Sequence, residues 1–385
     1  MTTTAATAST TAAAASAPKP NPPTAHGELD LELPLAHLAP PNTAVRTGHF
    51  QTLRPTSSGL EIKDAIHGTH VLHEPVLLSL LASEPLRRLA GVHQHGVTGL
   101  VGLTAPVSRL EHSLGALLLV RAVGGSLEEQ VAALLHDVSH TVLSHVVDAA
   151  FPKGPRGSFH EDNKARYVAT TELPALLAAH GYATAGGTAG VLDEEAYPLV
   201  ERPAPRLCAD RLDYGLRDAV AFGKLSLSHA RAVVADLVAF PSATAPDRVL
   251  ALSDAELALT LARAYGQCDA DVWANPAHVV MYRRTGALIL SMVESGRVAE
   301  AELWALSDDE FWAALRARAT DEERKTLDSL ENEVPEGQGL SKRTKIRTLD
   351  PDVVVGSAAS PLSSVRPEWG VERAAYIRQR EAERR

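Results

Sequence analysis

The segment AALLHDVSHTVLSHVVD, residues 132–148, sets three histidines and two aspartates in a run that is otherwise almost wholly apolar. An ionised side chain taken out of water is costly unless it is paired or bound to a metal ion. The chain must therefore adopt a fold that buries the apolar residues of this run and still gives His136, His140, His145, Asp137 and Asp148 partners.

The same residue type gathers nearby. Of the sixteen histidines, ten fall between His67 and His160. On a helix running through the segment, His136 and His140 stand four apart and share a face, with Asp137 one step round. Two imidazoles and a carboxylate so placed can grip one cation. Such donors suit Mn, Fe, Co, Ni or Zn, and Mg where oxygen ligands dominate. A second apolar helix, SRLEHSLGALLLV, brings His112, and a third, CADRLDYGLRDAV, brings Asp210. Asp210, Tyr214 and Asp218 form one stripe of that third helix, while Asp213 and Arg217 are spaced as a structural ion pair. His67, His70, His73, His180 and His229 read as satisfied structural residues.

The rest of the chain limits the function. A formal charge of −10 gives no support to a chain that tracks a nucleic-acid backbone. The two cysteines, Cys208 and Cys268, stand alone and point to a reducing compartment. No stretch reaches the roughly 18 apolar residues of a membrane span. Residues 1–44 begin with low-complexity Ala, Thr and Pro and read as a disordered tail without a targeting signal, so a cytoplasmic or nuclear protein is expected.

From residue 45 the pattern is helical almost throughout. GLEIKDAIHGTHVLHEP is expected to form a hairpin, and one helix breaks near Glu84-Pro85. Ser126 with Glu129, Ser253 with Glu256 and Ser307 with Glu310 read as capping boxes, the first launching a helix that runs through His140. LSKRTKIRTLDPDVVV reads as a strand with basic flanks, whose Lys342, Arg343, Lys345 and Arg347 make a solvated face. The expected fold class is all-α, a helical bundle around a metal site with minor short strands and a C-terminal helical extension. The expected domains are 45–235 around the metal, 236–335 as a helical extension packed on it, and 336–385 as a basic segment with a charged terminal helix.

The order His112, His136-Asp137, Asp210 resembles the H…HD…D signature of the HD superfamily of metal-dependent phosphohydrolases. The segments SRLEHSLG, LLHDVSHTVLSHVVD and DRLDYGLRDA are similar to those of its deoxynucleoside triphosphate triphosphohydrolase branch, and the likeness covers about residues 60–222. The resemblance implies that His112, His136, Asp137 and Asp210 hold a divalent metal ion and that Arg109 contacts a substrate phosphate. His140, His145 and His160 would match active-site histidines, one of them protonating the leaving oxygen, with Asp148 orienting His145 or His140. Arg211 stands in place of a phosphate-binding lysine. Tyr214 and Asp218 match residues facing the sugar, and Gln94 one near the sugar and base.

The departures are specific. His95 stands where the similar enzymes have an apolar residue, Ser139 replaces a glycine in HDVSH, and Ala82 and Ala90 replace charged residues that grip an activating nucleotide. The implied partner is a small phosphorylated molecule, a nucleotide or one like it; membranes and nucleic acid are not expected, and a homo-oligomer stays open. Two other readings stand beside hydrolysis. One is a diiron oxygenase of the same fold, which would draw on His140 and His160. The other is a non-catalytic scaffold.

Overall fold

Strand alternation opens the described part of the chain. The computed structural model describes residues 51–384, apart from 153, 156, 183–189 and 343. Segment 1–44 and Arg343 of the basic stretch therefore lie outside the described residues. Strands β1 (Gln51–Thr56), β2 (Gly59–Asp64) and β3 (Gly68–Leu72) form an antiparallel meander. Leu60 pairs with Leu72 across β2 and β3, and Leu60, Ile62 and Leu72 are fully buried. The expected hairpin is thus the second half of a three-stranded sheet.

Helices follow. Helix α1 (Pro75–Ala82) ends at Ser83, and α2 (Glu84–Arg88) starts with Pro85 in its first turn, where a missing N–H costs nothing. Helix α3 (Arg109–Ala122) is capped by Ser108, whose hydroxyl accepts the Glu111 N–H. Helix α4 (Leu127–Leu135) is capped by Ser126 in the same way. Glu129 does not close the expected box. Its buried carboxylate turns inward and accepts from Arg248 at 2.8 Å. Short helices α5 (His145–Ala150) and α6 (Phe159–Ala169) and the longer α7 (Ala209–Ala221) complete the part that carries the histidines.

Beyond it come strands β4 (Leu237–Phe240) and β5 (Val249–Leu252), then α8 (Ala255–Cys268), which runs into a π-helical turn at Asp269–Trp273. Asp254, not Ser253, caps α8, because its carboxylate accepts the N–H groups of Glu256 and Leu257. Helices α9 (Pro276–Glu294), α10 (Asp308–Arg318) and α11 (Asp321–Asn332) follow. The box at Ser307 and Glu310 closes as expected. Strands β6 (Asp352–Val355) and β7 (Ala358–Pro361) and helix α12 (Pro367–Ala382) end the described chain.

The all-α expectation needs correction. The protein is helix-rich, but β4 to β7 join in a second, four-stranded sheet whose β5–β6 pairing is parallel. Its strands are short, and β6 lies far beyond β5 in sequence, so no local alternation announces the sheet. The expected strand over 340–355 narrows to β6, and the described residues of 341–351 run without regular structure.

One apolar cluster ties the later helices to the histidine-bearing ones. Val146 and Val147 of α5 pack with Met281, Ile289 and Met292 of α9 and Phe311 of α10. Gly286 permits the approach: a Cβ there would lie 3.0 Å from the Ala150 Cβ. Each fully buried side chain of this kind contributes roughly 1.5–3 kcal/mol.

Candidate metal centre

Helix α4 stops at Leu135, so His136–Ser139 form a turn instead of the expected helix through His140. The cause is a change of bonding. Val138 N–H donates to Leu135 O and His140 N–H to Asp137 O, three residues back instead of four. Fully buried Lys164 of α6 takes the freed carbonyl of His136 at 2.9 Å and pairs with Glu194. The tightened turn no longer stacks His136 above His140. It sends the two imidazoles to different clusters, with Asp137 between them.

The first cluster gathers His112 of α3, His136, Asp137 and Asp210 of α7. His136 Nε2 lies 3.1 Å from His112 Nε2, and His112 Nε2 lies 3.0 Å from Asp210 Oδ1. His136 Nε2 is 3.6 Å from both Asp210 Oδ1 and Asp137 Oδ1, and His112 Nε2 is 3.7 Å from Asp137 Oδ2. Two ligands each about 2.1 Å from one ion, at right angles, are about 3 Å apart. The separations are those of neighbouring corners around a cation, and the donor set fits a divalent metal ion.

Electrostatics around these donors are strongly biased. Burial disfavours a charged His112, but Asp210 and Asp213 outweigh it and hold the imidazole up to about 10. Burial likewise opposes ionisation of Asp137, yet Arg109 and the two imidazoles keep its carboxyl far below the usual range. Protons and a metal ion compete for the same imidazole nitrogens, so metal uptake releases protons here.

Behind His112 lies a fully buried network. Asp213 Oδ2 accepts from His112 Nδ1 at 2.8 Å and from Arg217 Nε at 2.9 Å, and Asp213 Oδ1 lies 2.7 Å from His67 Nε2. Arg217 also reaches Asp64 at 2.8 Å and Glu111 at 3.0 Å. Asp213 and Arg217 do pair as expected, but the pair also fixes which nitrogen His112 turns toward the centre. His67, read from the sequence as a bystander, belongs to this support.

Asp64 makes the network's energy accessible. Burial works against its charge, but Arg217 and His67 prevail and lower its carboxyl to about 2. A folded-state value below the ordinary one of about 4 means the stabilisation is present above that range and is lost as pH falls through about 2. Asp64→Asn should therefore be about 2 kcal/mol less stable than the parent at neutral pH. Urea unfolding should show the gap closing between about pH 4 and pH 2; a gap that stays constant refutes the assignment.

The second cluster holds the remaining histidines. Asp148 Oδ2 lies 2.9 Å from His145 Nδ1 and 2.7 Å from His160 Nδ1. His140 stacks on His160 with ring centres 3.7 Å apart, and its Nε2 is 3.4 Å from Asp137 Oδ1. Burial opposes a charged His160, but Asp148 and Glu161 hold it up to about 9. Burial and the neighbouring cation Arg109 push His140 well down. The donors of His140, His145, Asp148 and His160 lie within 4.8 Å of one another.

A strained turn aims His145. Leu143 and Ser144 have φ of 54° and 50°, a left-handed conformation unusual for side chains other than glycine. Surrounding bonds hold it. Leu143 N–H donates to Asp308 Oδ1 at 2.6 Å, and the other oxygen of buried Asp308 accepts from His93 N–H at 2.8 Å. Ser144 Oγ donates to His93 O and accepts from Arg109 Nε at 2.9 Å.

The other sequence-derived residues fall unevenly. Arg109 joins the clusters, with Nη1 on Asp137 at 2.7 Å. Gln94 offers only its backbone carbonyl, which accepts from Arg109 Nη2 at 3.4 Å. Tyr214 packs edge-on to His112, ring centres 6.1 Å apart, and its hydroxyl bonds to Tyr265. Asp218 is occupied by His95 Nε2 at 2.8 Å and Trp273 Nε1 at 2.6 Å. Arg211 is folded into the 201–208 loop, donating to the carbonyls of Arg202 and Arg206 and to Glu201. Sequence reasoning missed Glu201, Tyr265 and Trp273. Burial and the charge of Asp210 raise Glu201 to about 7, but no motif marks it.

A helix-rich scaffold that converges two histidines and two aspartates from separate segments, with an arginine and more histidines alongside, is the site of an HD-type metal-dependent phosphohydrolase. The chain is 55% identical over 321 residues to the metal-dependent phosphohydrolase cns2 of Cordyceps militaris, a match spanning 82% of this chain and 92% of that protein. It therefore belongs to the metal-dependent phosphohydrolases, with a divalent metal ion as cofactor and a phosphorylated small molecule as substrate. Over 103 residues, 23% of this chain and 16% of that protein, it is 34% identical to the deoxynucleoside triphosphate triphosphohydrolase SAMHD1 of Danio rerio. A solved phosphohydrolase from Bacteroides thetaiotaomicron shares the fold with a TM-score of 0.53 at 19% identity, covering 71% of this chain and 76% of that one. No family model matches the chain. Among the described residues no helix is long and apolar enough to cross a membrane.

Proposed function

We propose that the chain hydrolyses a nucleotide, releasing a single phosphate in preference to intact triphosphate. The observation that carries this reading is the junction at Asp137, which puts cation donors on one side and the carboxylate-oriented histidines on the other. His112, His136, Asp137 and Asp210 would hold the ion. When bound, it polarises the phosphoryl group and acidifies a water molecule. Arg109, anchored through Nε and Nη1, is preorganised to take a phosphate oxygen. Half-exposed His145 has its Nδ1 fixed by Asp148 and its Nε2 without a partner among the described residues. Burial and the charge of Arg109 lower this imidazole to about 4 against the pull of Asp148, so the nitrogen takes its proton from solvent and passes it to the leaving oxygen. The partial likeness to SAMHD1 supports a nucleotide. Arg211, which stands in place of a phosphate-binding lysine, is engaged elsewhere, on loop carbonyls.

Product identity is the test. The metal-loaded protein is given nucleoside mono-, di- and triphosphates, and the products are weighed by mass spectrometry. Orthophosphate with the shortened nucleotide is expected; released triphosphate would overturn the preference. His145→Ala should lower turnover roughly 10²–10⁴-fold with metal content unchanged. The loss should shrink for p-nitrophenyl phosphate, whose leaving group needs no proton, and an equal loss on both substrates would remove His145 from the acid role.

A further inference from the structure

The wall of the site on the Tyr214 side is built by residues far along the chain. Trp273, in the π-helical turn after α8, stands edge-on to Tyr214 with ring centres 5.2 Å apart, and 4.6 Å from Tyr265. Its indole N–H is spent on Asp218. Over its ring sits the guanidinium of Arg347, 6.0 Å from the ring centre. Arg347 comes from the basic segment before β6, which the metal centre leaves unexplained.

The guanidinium is held but not satisfied. Its nearest carboxylate, Asp269, stays 4.0 Å away and accepts instead from the Tyr376 hydroxyl at 2.8 Å. Among the described residues the Arg347 side chain makes no hydrogen bond, and it is 29% exposed. A guanidinium resting on an indole keeps its plane and leaves its N–H edge free for an acceptor. The line from His112 through Tyr214 and Trp273 to Arg347 is a continuous aromatic wall that runs from a metal donor to a guanidinium.

We infer that Arg347, seated on Trp273, is a specificity-determining residue that binds a hydrogen-bond acceptor on the end of the substrate remote from the scissile phosphate. The acceptor is the carbonyl or ring nitrogen of a flat heterocycle, or a second anionic group; both present the same lone pairs to the guanidinium edge. The inference deepens the proposed nucleotide reading and rests on it for the position of the phosphate.

The test uses the full-length, metal-loaded protein and three compounds: a nucleoside monophosphate, a nucleoside bisphosphate, and ribose 5-phosphate, which has neither ring nor second anion. Arg347→Ala should raise KM roughly tenfold or more for the compounds carrying the acceptor, with kcat, metal content and KM for ribose 5-phosphate unchanged. Arg347→Lys should restore little, since an ammonium cannot offer the planar edge. A rise for the bisphosphate alone assigns the acceptor to the second anion; a rise for both nucleotides assigns it to the ring. Binding of the same three compounds, followed by tryptophan fluorescence, separates this inference from the nucleotide reading. Wild-type protein that turns over no nucleotide yet binds one more tightly than ribose 5-phosphate, with the preference lost in Arg347→Ala, refutes the reaction and keeps the site. No binding preference in the wild type, or an equal effect of Arg347→Ala on all three compounds, overturns the inference.

Discussion

Asp137→Ala protein should purify without bound metal and without measurable phosphohydrolase activity, a loss of at least about 10³-fold. Asp137 meets both histidine clusters, 3.6 Å from His136 Nε2 and 3.4 Å from His140 Nε2, and it also pairs with Arg109 at 2.7 Å. Its removal strands a guanidinium that is only 3% exposed, so this variant should also lose roughly 3–5 kcal/mol of stability. His136→Ala separates the two effects: it deletes a donor without leaving Arg109 unpaired, and should lose metal and activity while keeping most of the stability. Metal content by plasma mass spectrometry, helicity by circular dichroism and turnover on the same samples check both. Retained turnover in folded His136→Ala protein would remove the metal role assigned to this cluster.

Gly115→Ala should be nearly as damaging, although Gly115 touches neither metal nor substrate. A Cβ at this position of α3 would lie 1.8 Å from Asp213 Oδ1 and 2.6 Å from Arg217 Nη2. Neither atom can yield without breaking bonds, because Asp213 and Arg217 are fully buried and bonded to His112, His67, Asp64 and Glu111. The carboxylate must shift, and His112 loses the acceptor that orients it. Metal affinity should fall roughly 10–100-fold, with activity following it. Gly266→Ala is the control, for a Cβ on that helical glycine meets nothing within 4 Å and should stabilise α8 slightly. Unchanged metal affinity in Gly115→Ala would show that Asp213 does not position His112.

These two positions show what could be read without coordinates. His136 and Asp137 announce themselves because charge in an apolar run has few explanations, and His112 and Asp210 lie in segments of the same kind. Gly115 was visible as the last letter of SRLEHSLG, but its reason, the space it leaves for Asp213, comes from a helix nearly a hundred residues away. His67 looked like a bystander on a strand because its partner, Asp213, is 146 residues away. The end of α4 at Leu135 was hidden for another cause: an unbroken apolar pattern favours continuing the helix, and Lys164, which takes the His136 carbonyl, carries no local mark. The helix-rich character follows from periodicity. The β4–β7 sheet does not, since its two pairs of four-residue strands are joined only by the long-range, parallel β5–β6 pairing.

The turn at Leu143 and Ser144 has a further consequence. Its conformation is kept by Asp308, more than 160 residues downstream, whereas every donor of the first cluster lies between His112 and Asp210. Capturing a cation and orienting a proton donor are thus delegated to different stretches of polypeptide. A nick or an insertion ahead of α10 is expected to disturb the proton donor before it disturbs the metal donors. Sequence drift in the later helices could tune or silence the enzyme while its signature motif stays intact.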